Sequence, residues 1–137
     1  MSQVEIDLWP SAFGLPKQEL PDAILKEQAN RLGEKTNHVV EARVEAPEHA
    51  KYLSDKIRLA FYLVAPRLGN YSYRLFTVEY GITSIGQEIT GYPVTLLNGE
   101  ERICRDRGEF IEVLREIFAS QTTLQVISAL MDDSSTV

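Results

Sequence analysis

The 137-residue sequence predicts a single α+β domain, spanning residues 1–137, with an antiparallel meander of about five strands. Several short segments alternate apolar with polar residues and are joined by turn sequences, as in strands connected by hairpins. One helical pattern precedes these segments and two follow them, which favours an α+β domain over alternating β–α units. We therefore expect one N-terminal and two C-terminal helices packed on one face of the sheet.

Residues 1–18 are expected to form an apolar N-terminal arm. Val4, Ile6 and Leu8 alternate with acidic residues, which indicates a half-buried strand. The stretch WPSAFGLP that follows contains two prolines and a glycine, so we expect irregular backbone around Trp9 and Phe13. An apolar arm of this kind packs on its own domain or docks on another molecule.

The first helix is expected over residues 20–32. Pro21 suits the first helical turn, and Gly33 stands where a left-handed residue commonly ends a helix. Residues 38–46 then alternate apolar and charged side chains, which predicts a strand with one solvated face.

The two central strands are expected to be apolar on both faces. They are KIRLAFYLVAP and YSYRLFTVEY, and the Pro and Gly residues between them favour a hairpin. The expected division of the second strand is Tyr73 and Leu75 on one face and Phe76, Val78 and Tyr80 on the other. Because three helices can cover only one face, the second face needs cover from the arm, a second copy or a partner.

A second hairpin is expected over residues 91–105, with Asn98-Gly99 as its turn and Pro93 at a strand start or a sheet edge. The motif DRGE then predicts a capping box in which Asp106 accepts from the backbone and Glu109 reaches back.

Two C-terminal helices are expected after this capping box. The first has an apolar stripe at helical spacing, formed by Phe110, Val113, Leu114, Ile117 and Phe118. Ser120 is expected to cap the second helix, and residues 132–137 are expected to fray.

The composition restricts the partners and the compartment. A formal net charge of −6 and a pI of about 4.9 oppose binding to the phosphates of nucleic acids. The chain has no apolar run near the roughly 20 residues that span a bilayer, and no signal-like N-terminus. Cys104, the one cysteine, cannot form an internal disulfide, so we expect a soluble cytoplasmic protein without a membrane partner.

The sequence contains no recognisable catalytic, cofactor-binding or metal-binding motif. His38, His49 and Cys104 do not have metal-ligand spacing, and neither GxSxG nor a phosphate-binding glycine motif occurs. Flanking arginines favour a lowered pKa for the Cys104 thiol, although strand cysteines usually belong to the core. A surface that binds single-stranded nucleic acid requires five arginines to lie on one side of the sheet. They are Arg58, Arg74, Arg102, Arg105 and Arg107.

Our hypothesis is a non-catalytic protein that binds another protein or a second copy of itself; an acidic inhibitor of the immunity or antitoxin type is one instance. The candidate interface consists of residue types common in interface hot spots: Trp9, Phe13, Tyr62, Tyr71, Tyr73 and Arg74. A candidate acidic patch for a basic partner consists of Glu41, Glu45 and Glu48. The alternative is a small-molecule-binding domain or an enzyme whose pocket, between sheet and helices, uses Tyr62, Tyr73 or Arg74 as polar anchors.

Overall fold

The computed structural model describes residues 6–9, 21–46, 56–81 and 92–136. Within these ranges the chain forms three α-helices and one antiparallel sheet of five strands in the order β1-β2-β3-β4-β5. The elements are α1 (Pro21–Lys35), β1 (Glu41–Glu45), β2 (Lys56–Ala65), β3 (Tyr71–Gly81), β4 (Tyr92–Leu96), β5 (Glu101–Cys104), α2 (Arg107–Phe118) and α3 (Gln121–Ser135). The predicted α+β meander with one N-terminal and two C-terminal helices is confirmed.

All three helices pack on the same face of the sheet, which we call the helical face. Buried side chains from each helix join one core cluster with the strands, for example Leu25 of α1, Phe110 of α2 and Leu130 of α3. At its centre Phe61 and Phe76 stack with ring centroids 5.2 Å apart, and Phe118 of α2 lies 5.4 Å from the Phe61 ring. Aromatic pairs at this spacing contribute beyond their buried area, so this cluster ties α2 to the middle of the sheet.

The opposite face of the sheet, the open face, is not covered by any helix of the described chain. Cross-strand partners share a face, so the pairing register assigns its residues. They are Glu41, Arg43 and Glu45 of β1; Arg58, Ala60, Tyr62 and Val64 of β2; Ser72, Arg74, Thr77 and Glu79 of β3; Pro93 and Thr95 of β4; and Glu101 and Ile103 of β5.

The expected division of β3 between the two faces is wrong, because β3 contains a β-bulge. Phe61 pairs with Phe76, but the next residue, Tyr62, pairs with Arg74, so Leu75 is an extra residue in β3. Leu75 and Phe76 are therefore buried side by side, and Tyr73 falls on the helical face with Phe76. One inserted residue resets the alternation along the strand.

Strand β2, in contrast, has apolar residues on both faces, as expected. Its helical-face residues are core residues, while Ala60 and Val64 on the open face are also buried. Tyr62 lies between them and is half-buried. The apolar part of the open face is thus a narrow line along β2.

Helix α1 continues past Gly33, so the prediction that Gly33 ends the helix is wrong. The left-handed residues are Asn37 and His38, with φ of 53° and 64°, and His38 N donates to Gly33 O at 2.7 Å. Gly33 instead leaves room for the imidazole, since a Cβ there would lie 3.2 Å from His38 Nδ1. Thr36 then connects the helix to β1, because its Oγ1 donates to Val40 O at 2.7 Å and accepts from Val40 N.

The two C-terminal helices begin where the sequence predicts. Asp106 Oδ1 accepts from Glu109 N at 2.9 Å, and Glu109 Oε2 accepts from the backbone of Arg105 rather than from that of Asp106. Ser120 Oγ accepts from Thr123 N and begins α3. The prediction that residues 132–137 fray is wrong for residues 132–135, because these residues belong to α3.

Candidate functional site

The structure divides the predicted interface residues among several surfaces. Tyr62 and Arg74 are cross-strand partners on the open face, whereas Tyr73 lies on the helical face. Tyr71 is 52% exposed at the start of β3, and Trp9 is 73% exposed in the segment 6–9. Phe13 lies outside the described residues. The pair formed by Tyr62 and Arg74 is therefore the part of the prediction that forms one surface.

Arg74 differs from the other two arginines of the open face. Arg43 lies 2.7 Å from Glu45 and donates to Ser72 Oγ at 3.1 Å, and Arg58 is paired with Glu79 at 3.0 Å. Arg74 is exposed and makes no hydrogen bond or ion pair with another described residue. Its guanidinium has five N–H donors available for a ligand or a partner.

A cleft of about 500 Å³ lies beside Arg74 on the open face. Thr77 and Thr95, which are partners across β3 and β4, line it together with the Arg58–Glu79 ion pair. Glu101 lines the cleft from β5, two strands away from Arg74. The cleft therefore has a cation on one strand and an anion on another, and Pro93, Leu96 and Leu97 form its apolar part.

The predicted acidic patch is interrupted by a cation. Glu41 and Glu45 share the open face of β1, but Arg43 lies between them and is paired with Glu45. Glu41 Oε2 lies 3.6 Å from His38 Nδ1. Glu48 lies outside the described residues. The negative charge of Glu45 is thus largely compensated within β1.

The five arginines considered for nucleic-acid binding do not share one side of the sheet. Arg58 and Arg74 are on the open face, whereas Arg102 alternates with Ile103 and lies on the helical face. Arg105 and Arg107 follow the end of β5. The structure provides no single basic face built from these residues.

A second cleft, of about 480 Å³, lies on the helical face between the β4–β5 hairpin and the α2–α3 junction. Arg102 and Glu116 form an ion pair of 2.6 Å in it, and Tyr73 lines the same cleft. Tyr73 was predicted as a polar anchor of a pocket between sheet and helices, whereas Arg102 and Glu116, which are 14 residues apart, were not. Alternation in β5 was the available signal, since it places Arg102 on the same face as Cys104.

Cys104 is buried, and its thiol is expected to be unreactive. The pKa of its thiol is raised to about 11, first by burial and second by the nearby Glu109, while Arg102 has a smaller lowering effect. A thiol with this pKa is protonated at neutral pH and is a poor nucleophile. The arginines near Cys104 thus do not activate it.

Among the described residues, no group of three or more His, Cys, Asp or Glu side chains is placed to hold a metal ion. In the same part of the chain no helix is long and apolar enough to cross a membrane. Comparisons with protein-family models, with curated proteins and with solved structures find no match in any of the three.

Proposed function

We propose that this protein is a non-catalytic binding protein whose partner is another protein and contacts the open face at Tyr62 and Arg74. The observation that carries this proposal is the unpaired state of Arg74 within the described chain, beside its cross-strand partner Tyr62. The other two arginines of the open face, Arg43 and Arg58, are both paired. Tyr and Arg dominate interface hot spots, and a guanidinium binds a carboxylate through two parallel hydrogen bonds. The partner is expected to present an Asp or Glu to Arg74.

The chemistry of the open face favours a protein over a small molecule. Small-molecule pockets are lined mainly by apolar and aromatic side chains. The cleft beside Arg74 is lined mainly by charged side chains and threonines, with a smaller apolar part formed by Pro93, Leu96 and Leu97. Ile103, at the β5 edge of the same face, is 64% exposed. A surface with one aromatic–arginine pair, a mainly polar cleft and an exposed aliphatic side chain resembles a protein interface.

The net charge of −6 adds a preference among protein partners. An acidic protein associates faster with a basic one, and the rate enhancement falls with ionic strength. An acidic inhibitor of the immunity or antitoxin type fits this description. The local contact at Arg74 and the long-range steering are separate effects, so salt should change the association rate more than the dissociation rate.

The test is affinity capture from native lysate with a photo-crosslinking amino acid at position 62. Capture is compared among the unmodified chain, Arg74→Glu and the matched control Arg67→Glu, which reverses an exposed arginine in the turn between β2 and β3. We expect a protein that crosslinks at position 62, is lost with Arg74→Glu and is retained with Arg67→Glu. A hot-spot arginine contributes about 2 kcal/mol or more, so Arg74→Ala should weaken binding at least about 30-fold. Equal capture by the two charge-reversed variants would contradict the proposal.

A small-molecule-binding function is the second candidate, because the cleft on the helical face suits it. Its volume of about 480 Å³ lies within the range of roughly 300–1,000 Å³ typical of ligand pockets. Tyr73 and the Arg102–Glu116 pair supply polar groups near the buried side chain of Ile117. A thermal-shift screen against metabolites supports this candidate if a compound stabilises the chain but not Arg102→Ala; equal stabilisation of both places the ligand elsewhere.

A further inference from the structure

A groove of about 180 Å³ lies between α1 and α3 on the helical face. Its apolar lining comes from all three helices and β2, and consists of Leu32, Phe61, Leu63, Phe118 and Ile127. Arg31 and Lys35 of α1 line its other side. The groove thus combines an apolar floor with a cationic edge.

The segment 6–9 has the complementary chemistry. Ile6 is 66% exposed, Leu8 is 86% exposed, and Trp9 is also mostly exposed. Asp7 lies between the apolar residues and accepts a hydrogen bond from Trp9 N at 3.0 Å. Three large apolar side chains are thus exposed within four residues, and this apolar area is available for docking.

Charge and size both match the segment to the groove. Lys35 makes no ion pair within the described part of the chain, whereas the charge of Arg31 is largely compensated by Glu27 at 2.9 Å, so Lys35 is the cation available to a partner. A carboxylate at Asp7 is therefore attracted to this edge. For size, a cavity of about 150 Å³ lined by apolar side chains accommodates a benzene ring, so the open groove can receive much of an indole.

We infer that the protein self-associates by exchanging this segment: residues 6–9 of one copy dock in the α1–α3 groove of a second copy. Trp9 then contacts the floor at Phe61, and Asp7 faces Lys35. Each copy has one segment and one groove, so a reciprocal exchange closes a two-fold dimer. The exchange uses the helical face, so it is independent of the proposed function and leaves the open face accessible.

Trp9 is the only tryptophan in the chain, so its fluorescence reports directly on the segment. The test is a dilution series followed by tryptophan emission and by sedimentation velocity. We expect tryptophan emission to shift to longer wavelength on dilution. The midpoint of this shift should fall at the protein concentration at which sedimentation shows the dimer dissociating into monomers. Trp9→Ala, followed by sedimentation, should weaken the dimer at least about 30-fold, as expected for a central aromatic anchor.

Charge reversal separates a direct contact from a general loss of stability. Asp7→Lys and Lys35→Glu are each expected to weaken the dimer about 3- to 10-fold, and the double variant should recover most of the loss. Lys26→Glu, on the same helix but not in the groove lining, is the matched control and should leave the dimer unchanged.

Three results would overturn the inference. The first is a monomer at every concentration with constant Trp9 emission. The second is blue-shifted emission that does not depend on concentration in a monomer, which would mean that the segment docks within its own chain. The third is a dimer that Trp9→Ala leaves intact, because the copies would then associate through another surface.

Discussion

Ser134 provides the sharpest test of the packing of α3. Its side chain is fully buried, and its Oγ has no hydrogen-bond partner within the part of the chain that the structure describes. A buried hydroxyl without a partner has lost its hydrogen bonds to water and gained none in return. We therefore expect Ser134→Ala to stabilise the protein, although it removes an atom from a packed site.

The magnitude follows from two opposing effects. Relief of an unsatisfied buried hydroxyl is worth roughly 1–3 kcal/mol. The void left by one oxygen, about 10–15 Å³ at about 24 cal/mol per Å³, costs about 0.3 kcal/mol. Alanine also has a slightly higher helix propensity than serine. The expected net gain is about 1 kcal/mol or more, which corresponds to a rise in Tm of about 4 °C for a domain of this size.

The assay is equilibrium unfolding in urea at constant pH. Ser134→Ala should raise the denaturation midpoint without changing the slope m. The matched control is Ser135→Ala, because Ser135 is the exposed neighbour whose Oγ donates to Asp132 O at 2.7 Å. That variant should change the free energy of unfolding by less than about 0.5 kcal/mol. A lower midpoint for Ser134→Ala than for the parent would refute the reasoning, since it would mean that the hydroxyl has a partner.

Three further variants test the helix ends and the buried thiol. Asp106→Ala removes the N-cap acceptor of α2 and should lower the free energy of unfolding by about 1 kcal/mol in urea titrations. Gly33→Ala should raise the same quantity by up to about 1 kcal/mol, because Gly33 is helical and the exposed His38 imidazole can move aside. For Cys104, the folded-state pKa of about 11 exceeds the ordinary value of 9.0, so the unfolded chain loses its proton first as pH rises. Stability should therefore fall between about pH 9 and pH 11, and Cys104→Ala should reduce that slope.

For each of these three variants, a specific result would contradict the expected change in stability or reactivity. Asp133→Ala, at an exposed site near the end of α3, is the control for Asp106→Ala, and equal losses from both would argue against a specific cap. Destabilisation by Gly33→Ala would mean that His38 cannot move. Rapid alkylation of Cys104 in the native protein at neutral pH would contradict its burial, because the thiol should react only after unfolding.

Local patterns were sufficient to predict most of the fold. The Asn98-Gly99 turn, the Asp106 cap and the apolar stripe of α2 each depend on residues close together in the sequence, and the structure contains all three. The predicted end of α1 was wrong because Gly33 was interpreted only as a residue that can adopt the left-handed conformation at a helix end. Its role is steric: the absence of a Cβ lets His38 lie against the helix.

The candidate site was less predictable because its contacts join distant parts of the chain. Arg102 and Glu116 belong to different elements, and no local pattern pairs them. The groove between α1 and α3 likewise depends on how two helices are spaced over β2. Sequence patterns indicate which residues are apolar or charged, but they do not give the distance between helices.

The bulge in β3 shows how one local irregularity determines the open face. If strict pairing continued from Phe61 and Phe76, Tyr62 would face Leu75, and Arg74 would lie on the helical face among core residues. Burying that unpaired charge would be costly, and the extra residue avoids it by placing Leu75 in the core and Arg74 opposite Tyr62. The signal was present in the sequence, because strict alternation puts Arg74 on the same face as Phe76. The same inserted residue that buries Leu75 therefore creates the Tyr62–Arg74 pair to which we assign partner binding.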